Sequence, residues 1–162
     1  MKLSVKLSLM AGFLLLLTVA LGLFSLMQMA QMNTATEAIN NNWLPSTRYV
    51  LNMNVNTSDY RGLQVQLASS LTADDITRFK GRMDTVLKEF ESSKTKYAPL
   101  VTAGEEKKTY DQFLRDWQSY LDASQNVAQL AADGKNDEAR NLLRGNTRAL
   151  FDKSSDLLDE LV

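Results

Sequence analysis

An all-α fold, an up-down-up-down four-helix bundle behind an N-terminal transmembrane helix continuous with its first helix, follows from three observations. Residues 7–27 carry no charge and stand behind Lys2 and Lys6. The remainder places apolar residues at alternating three- and four-residue intervals in four successive segments. Caps and breakers separate these segments, and no strand or hairpin pattern competes with them.

The apolar run comes first. At about 1.5 Å per residue it spans a hydrocarbon core of ~30 Å as one helix. Both flanking lysines lie on its N-terminal side and the first acid is Glu37, so the positive-inside rule leaves residues 1–6 in the cytoplasm. Residues 7–30 are then the membrane helix, and residues 31–162 a water-soluble domain outside. A cleaved secretory signal is the rival reading. It is opposed by the length of the run, beyond the ~7–15 residues of a usual signal core. Leu26-Met27-Gln28-Met29-Ala30 also lacks the small-x-small pattern of a cleavage site.

Composition narrows the function. The chain has 162 residues and a formal net charge of −1, which becomes −3 once Lys2 and Lys6 are set aside. Such a surface does not suit nucleic acid. With no Cys and no His, disulfides and thiolate or imidazole metal sites are excluded, and the usual nucleophile–base pairs are missing. No Gly-rich phosphate loop or metal-spaced carboxylate set stands out. The reading is therefore a non-enzyme without cofactor.

The first bundle helix carries the seam Ile39, Trp43, Ser46, Val50, Met53, Thr57, Tyr60, Gln64, Leu67, Leu71. Thr72, three residues before Asp75, forms a capping-box-like start for the second helix. Its seam runs Ile76, Phe79, Met83, Val86, Phe90, Ser93, Tyr97. Pro99 and the stretch to Gly104 break the pattern, and Thr102 with Glu105 makes the next capping box. The third seam is Tyr110, Phe113, Trp117, Tyr120, Ser124, Val127, Ala131, stopped by Asp133-Gly134. Asn136 caps the fourth helix, with seam Ala139, Leu143, Asn146, Leu150, Lys153, Leu157, Leu161. Short connections make neighbouring helices antiparallel. The first helix needs no break from the anchor, giving a rod of about 65 residues, on the order of 100 Å.

A second stripe on the first helix, Leu44, Arg48, Leu51, Val55, Ser58, Gly62, Val65, keeps the same spacing. It reads either as the first-helix contact of a two-fold dimer or as the edge of a wide core face. Asp74-Asp75 and Glu105-Glu106 fall in first helical turns, where carboxylates favour the helix dipole. Trp43, Trp117 and Tyr120 sit on seams and read as core aromatics rather than a stacking site.

Counting outward from the two distal turns places Arg61 and Gly62 level with Gly81 and Arg82, with residues 122–124, and with Gly145, Asn146 and Thr147. Three mid-helix glycines in one layer each cost ~1 kcal/mol relative to Ala, so that layer wants either room or close backbones. Arg61 has Asn54, Thr57 and Ser58 beside it, and Arg140, Arg144 and Arg148 succeed one another at four-residue steps. A guanidinium fork with hydroxyl and amide donors suits a carboxylate. The candidate site is thus Arg61 with Thr57, Ser58, Asn146 and Thr147, about 15 Å below the distal tip. Arg48 lies ~20 Å from Arg61 along the helix and cannot share one small ligand with it within a subunit.

Asn41-Asn42-Trp43-Leu44-Pro45-Ser46-Thr47-Arg48 and Thr57-Ser58-Asp59-Tyr60-Arg61 resemble the sensor domain of bacterial methyl-accepting chemotaxis receptors. Looser matches occur at residues 117–120, 130–134, 138–139 and 148–152. The resemblance implies an inner-membrane homodimer paired through the first helix, with a periplasmic four-helix-bundle sensor. Ligand binding near the distal end then moves the fourth helix like a piston. In such receptors a second span, a HAMP linker and a cytoplasmic coiled coil pass the signal to a coupling protein and a histidine kinase. Those regions do not occur within residues 1–162, so these partners are expected only through a C-terminal part missing here, the chain being a fragment or a receptor-derived stub. In the aspartate-receptor branch, first-helix arginines, one from across the dimer, and a fourth-helix hydroxyl hold the ligand. Arg61 and Thr147 are similar in kind and layer. That branch's arginine spacing is not reproduced, so the implied ligand stays open between amino acids, tricarboxylic-cycle acids and aromatic carboxylates. Alternatives are a similar sensor on a membrane histidine kinase or cyclic-dinucleotide enzyme, or a ligand-free structural bundle whose glycine layer is closed by backbone contact.

Overall fold

The structure, a computed structural model, describes residues 3–162, and of residues 4–9 the backbone alone. Lys2 and the Lys6 side chain, which set the expected orientation, lie outside the described residues. The chain divides into two compact units, Met1–Trp43 and Leu44–Val162.

In the first unit, helix α1 (Leu3–Ala38) is followed by one π turn, Ile39–Trp43. From Met10 onward its Phe, Leu, Val and Met side chains are exposed on every face, Phe13, Leu16, Leu21 and Phe24 among them. A helix apolar all round and unburied is what a bilayer covers. Length and composition suffice for one membrane crossing.

The second unit contains α2 (Leu44–Leu67), α3 (Ala73–Tyr97), α4 (Glu105–Ser124), α5 (Val127–Ala132), α6 (Asn136–Arg144) and α7 (Asn146–Glu160). The pairs α4/α5 and α6/α7 each act as one bundle helix with a break. Contacts run between α2 and α3, α4 and α7, α5 and α6, and α2 and α7, as an antiparallel four-helix bundle requires. No strand occurs among the described residues.

The seams become the core where local chemistry keeps the helix regular. All seven third-seam residues, from Tyr110 to Ala131, are buried, as are Val50, Met53, Thr57, Tyr60, Gln64 and Leu67 of the first. Trp117 is the aromatic hub. Its ring lies 5.8 Å from Tyr60, 5.5 Å from Phe90 and 5.1 Å, stacked, from Tyr120.

Turn chemistry sets the ends. The Asp75 N–H donates to the Thr72 hydroxyl at 3.1 Å, the cap read from the sequence. Gly134 adopts φ +72°. Around it the Lys135 N–H reaches the Leu130 carbonyl at 2.8 Å and the Gly134 N–H the Ala131 carbonyl at 3.1 Å. This paired arrangement closes α5 with its carbonyls satisfied.

Four expectations shift. Trp43 is 68% exposed and Leu71 91% exposed. The π turn adds a residue to the winding ahead of Leu44, moving Trp43 off the seam, and α2 ends before Leu71. Thr102 pairs with Glu106 rather than Glu105, and the helix starts two residues late, after Gly104 at φ +113°. Asn136 is the first residue of α6 rather than its cap, and its side-chain amide donates to the Ser70 carbonyl at 2.7 Å, joining the two distal turns. Finally, the fourth seam slips by one residue after Gly145. Thr147, Ser154 and Leu158 are buried in place of Asn146, Lys153 and Leu157, of which the first two are exposed.

The turn between α3 and α4 carries a pH-sensitive knot. Glu106 accepts from the Tyr97 hydroxyl at 2.7 Å, from the Thr102 N–H at 2.9 Å and from the Thr102 hydroxyl. Burial raises its pKa, but the hydrogen bonds from Thr102 and Tyr97 outweigh that and leave it lowered. A lowered carboxylate stabilises the fold above its unfolded value of about 4.3 and loses that contribution as pH falls through the folded value. The Thr102 amide should therefore lose hydrogen-exchange protection on acidification below about pH 4.5. Glu106→Ala, which removes the acceptor, should be unprotected at neutral pH already.

Candidate functional site

A break in the fourth bundle helix builds the site. Gly145 separates α6 from α7 with φ −82° and ψ −128°. Its N–H still reaches the Asn141 carbonyl at 3.0 Å, and its own carbonyl accepts from the Arg148 N–H at 3.1 Å. The carbonyls of Leu142 and Leu143, just ahead of the break, each accept from a side chain. A Cβ at Gly145 would lie 3.3 Å from the Asn141 carbonyl oxygen, so the turn is tightest with glycine.

A break in a helix leaves carbonyls that call for donors, and side chains reach two of them here. The Thr147 hydroxyl donates to the Leu142 carbonyl. Arg61, from α2, extends Nη2 to the Leu143 carbonyl at 3.2 Å. Arg61 and Thr147 thus meet at one helix break. The guanidinium carbon lies 4.8 Å from the Phe151 ring centre and 5.9 Å from that of Tyr120.

Two donors in this layer remain unused. Arg61 Nη1 and Trp117 Nε1 are buried with no hydrogen-bond partner among the described residues. Both side chains pack against Tyr120, Trp117 stacked and Arg61 over its face. No carboxylate of the chain pairs with Arg61 among the described residues, whereas Arg140 and Arg148 pair with Asp137 and Asp152 at the surface. A half-buried guanidinium with a free donor and no counter-ion is suited to receive an anion.

Burial pushes the Tyr120 hydroxyl up to about 12, with Arg61 acting in the opposite sense. It stays protonated, donating to the Gln64 side-chain carbonyl. Gln64 in turn donates to the Ser124 hydroxyl at 2.9 Å. A buried polar chain therefore crosses the bundle from Ser124 through Gln64 to Tyr120 and Arg61.

The other expected residues are more dispersed. Thr57 is fully buried and its hydroxyl donates to the Asn54 carbonyl at 2.9 Å. Ser58 and Asn146 are exposed, as is Arg144. The level glycines do separate things. A Cβ at Gly62 or Gly81 would meet nothing within 4 Å, so neither marks a close helix crossing. The residues missed from the sequence are Leu142 and Leu143, which act through backbone carbonyls, and Phe151. The signal available was a mid-helix glycine followed by Asn-Thr, a start pattern inside an apparently continuous helix.

The architecture is a helix long and apolar enough to cross a membrane, followed in sequence by an antiparallel four-helix bundle with a polar layer inside. Residues 1–162 match the four helix bundle sensory module for signal transduction, and the chain belongs to that family. No curated protein and no solved structure gives a significant match.

Proposed function

We propose that this chain is the sensor portion of a transmembrane chemoreceptor, holding a small carboxylate or amino acid at Arg61 on the periplasmic side of the inner membrane. The observation that carries this reading is the buried, unpartnered Nη1 of Arg61 beside a broken helix. Thr147 supplies a hydroxyl, Thr57 and Ser58 lie one turn from Arg61 on α2, and Asn146 opens α7. Lys2 and Lys6 ahead of the apolar run support the orientation.

The same geometry offers a route from binding to signal. Arg61 links α2 to the Leu143 carbonyl through a neutral acceptor. A ligand carboxylate is the stronger acceptor, because its bond to guanidinium is charge-assisted. Drawing the fork toward the ligand changes the tie between α2 and the break in the fourth helix. The ligand then favours one offset of those helices over the other, as any signalling ligand must.

Homodimerisation through α2 belongs to this proposal. Leu44, Arg48, Leu51, Val55, Ser58, Gly62 and Val65 are all exposed, a continuous second face. Four large apolar side chains with Ser58 and Gly62 between them allow two α2 helices to approach closely. Sedimentation of the chain in density-matched detergent should give a dimer. Leu51→Glu with Val55→Glu should weaken it by about tenfold or more. A wild-type monomer, or an unaffected double variant, contradicts this face as the interface.

The reading is tested by calorimetric titration of the chain in lipid nanodiscs with succinate, citrate, benzoate and L-aspartate. Saturable binding of at least one, abolished in Arg61→Ala, is the expected result.

A further inference from the structure

A cleft of about 270 Å³ opens on the side of the bundle between α2, α3 and the α4–α5 junction. Its floor is buried and polar, made by Tyr60, Gln64 and Ser124, with Met83 as an apolar wall. Its rim carries two exposed charges one helical turn apart, Lys80 and Asp84. Arg61 does not line it.

The two rim charges are informative because they do not pair. Lysine followed by aspartate four residues later closes an ion pair at 2.5 Å in Lys107 and Asp111 of this same chain. Lys80 and Asp84 have that order and spacing, yet neither forms an ion pair among the described residues within 4.0 Å. An ammonium and a carboxylate are thus presented separately over one cleft. Beneath them Gln64 keeps a spare acceptor position. Its amide donates to Ser124 and toward the Tyr60 hydroxyl and accepts from Tyr120, and a side-chain amide oxygen accepts two hydrogen bonds.

We infer that this cleft is a second ligand site, for a small zwitterion. The ligand carboxylate faces Lys80, the ligand ammonium faces Asp84, Gln64 contributes a hydrogen bond from the floor, and Met83 meets a short carbon chain. The volume sits just under the ~300–1,000 Å³ range of pockets for drug-sized ligands, which limits the occupant to a few heavy atoms. A simple anion leaves Asp84 unanswered and a simple amine leaves Lys80 unanswered, so the charge pattern selects molecules carrying both groups. Because Gln64 accepts from Tyr120, whose ring lies against the Arg61 guanidinium, an occupant there also touches side chains packed beside the helix break.

The test is calorimetric titration of the full chain in lipid nanodiscs with glycine, L-alanine, β-alanine and γ-aminobutyrate, against propionate and propylammonium. At least one zwitterion should bind saturably, and in the Arg61→Ala chain, where the carboxylate site is silent, both single-charge controls should be about tenfold weaker or more. Lys80→Met and Asp84→Asn, both surface changes, should each weaken that binding by about tenfold or more. Ala128→Leu, which fills the cleft from its half-buried side, should weaken it as well. Arg61→Ala should leave it within about threefold, since removing a charge-assisted hydrogen bond from a ligand costs more than that. Absence of binding by every zwitterion, or binding that survives both rim substitutions, overturns the assignment. Binding abolished by Arg61→Ala but not at the rim overturns it too, placing the zwitterion at the carboxylate site. Failure of simple carboxylates to bind at Arg61 leaves this outcome unaffected.

Discussion

Arg61→Ala should reduce carboxylate binding by about 30-fold or more while the bundle still folds. Removing one partner of a buried, hydrogen-bonded charge pair costs about 2–5 kcal/mol, and each 1.4 kcal/mol is about tenfold in affinity. The effect on the unliganded fold is much smaller, because two changes oppose each other. The Leu143 carbonyl loses its donor and the ring faces of Phe151 and Tyr120 lose a cation. At the same time the buried Nη1 without a partner disappears. Each of these is on the order of 1–2 kcal/mol, so the melting temperature should move by only a few degrees. Arg61→Lys keeps the charge but not the fork, and should recover only part of the affinity. Circular dichroism establishes that the variant is helical. Ligand-induced thermal shift separates the binding loss from the fold. An Arg61→Ala chain that binds as the parent does refutes the site.

The second large effect is structural. Trp117→Ala should destabilise the 44–162 unit by about 3–5 kcal/mol, the usual cost of removing a large buried aromatic. Trp117 is 3% exposed and touches rings from α2, α3 and its own helix, namely Tyr60, Phe90 and Tyr120. Deleting it leaves a void where those helices meet, and the layer cannot collapse without moving Arg61. Loss of the unpartnered indole N–H returns about 1–3 kcal/mol at most, so the cavity cost wins. For a unit of this size the melting temperature should fall by roughly 10–20 °C, and it should do so cooperatively. Trp117→Phe, which keeps an aromatic ring in the stack and removes the orphaned donor, should cost far less. A melting temperature within a few degrees of the parent for Trp117→Ala would mean that the aromatic layer does not join the helices.

What the residues disclosed and what they hid divides along a physical line. Periodicity fixes which face of a regular helix is buried, and where the helix stays regular the seam is the core, as in the run from Tyr110 to Ala131. Caps that depend on side-chain chemistry a few residues apart, such as Thr72 with Asp75, were legible for the same reason. Periodicity cannot see a change of winding. The π turn at Ile39–Trp43 and the break at Gly145 each rotate the helix relative to its seam, exposing Trp43 and burying Thr147 in place of Asn146. Level counting from the distal turns did place Arg61 opposite the Gly145 region, because four antiparallel helices of equal rise hold their layers. It could not show that backbone carbonyls of Leu142 and Leu143 form the other half of that site, since a carbonyl has no sequence signature. The second stripe on α2 reads from the sequence as either core edge or partner face, and its exposure along the whole face takes it out of the core of the chain.

The central claim is that ligand capture and the fourth-helix break compete for one guanidinium. The most direct measurement is the ¹³C carbonyl resonance of Leu143, isotope-labelled in the full chain in nanodiscs and tracked by NMR as the bound carboxylate from the titration panel is added. The Leu143 signal should shift in step with occupancy, as its hydrogen bond from Arg61 changes, and the same ligand should leave it unmoved in Arg61→Ala. A Leu143 carbonyl that does not respond while the ligand saturates the parent chain would contradict that claim.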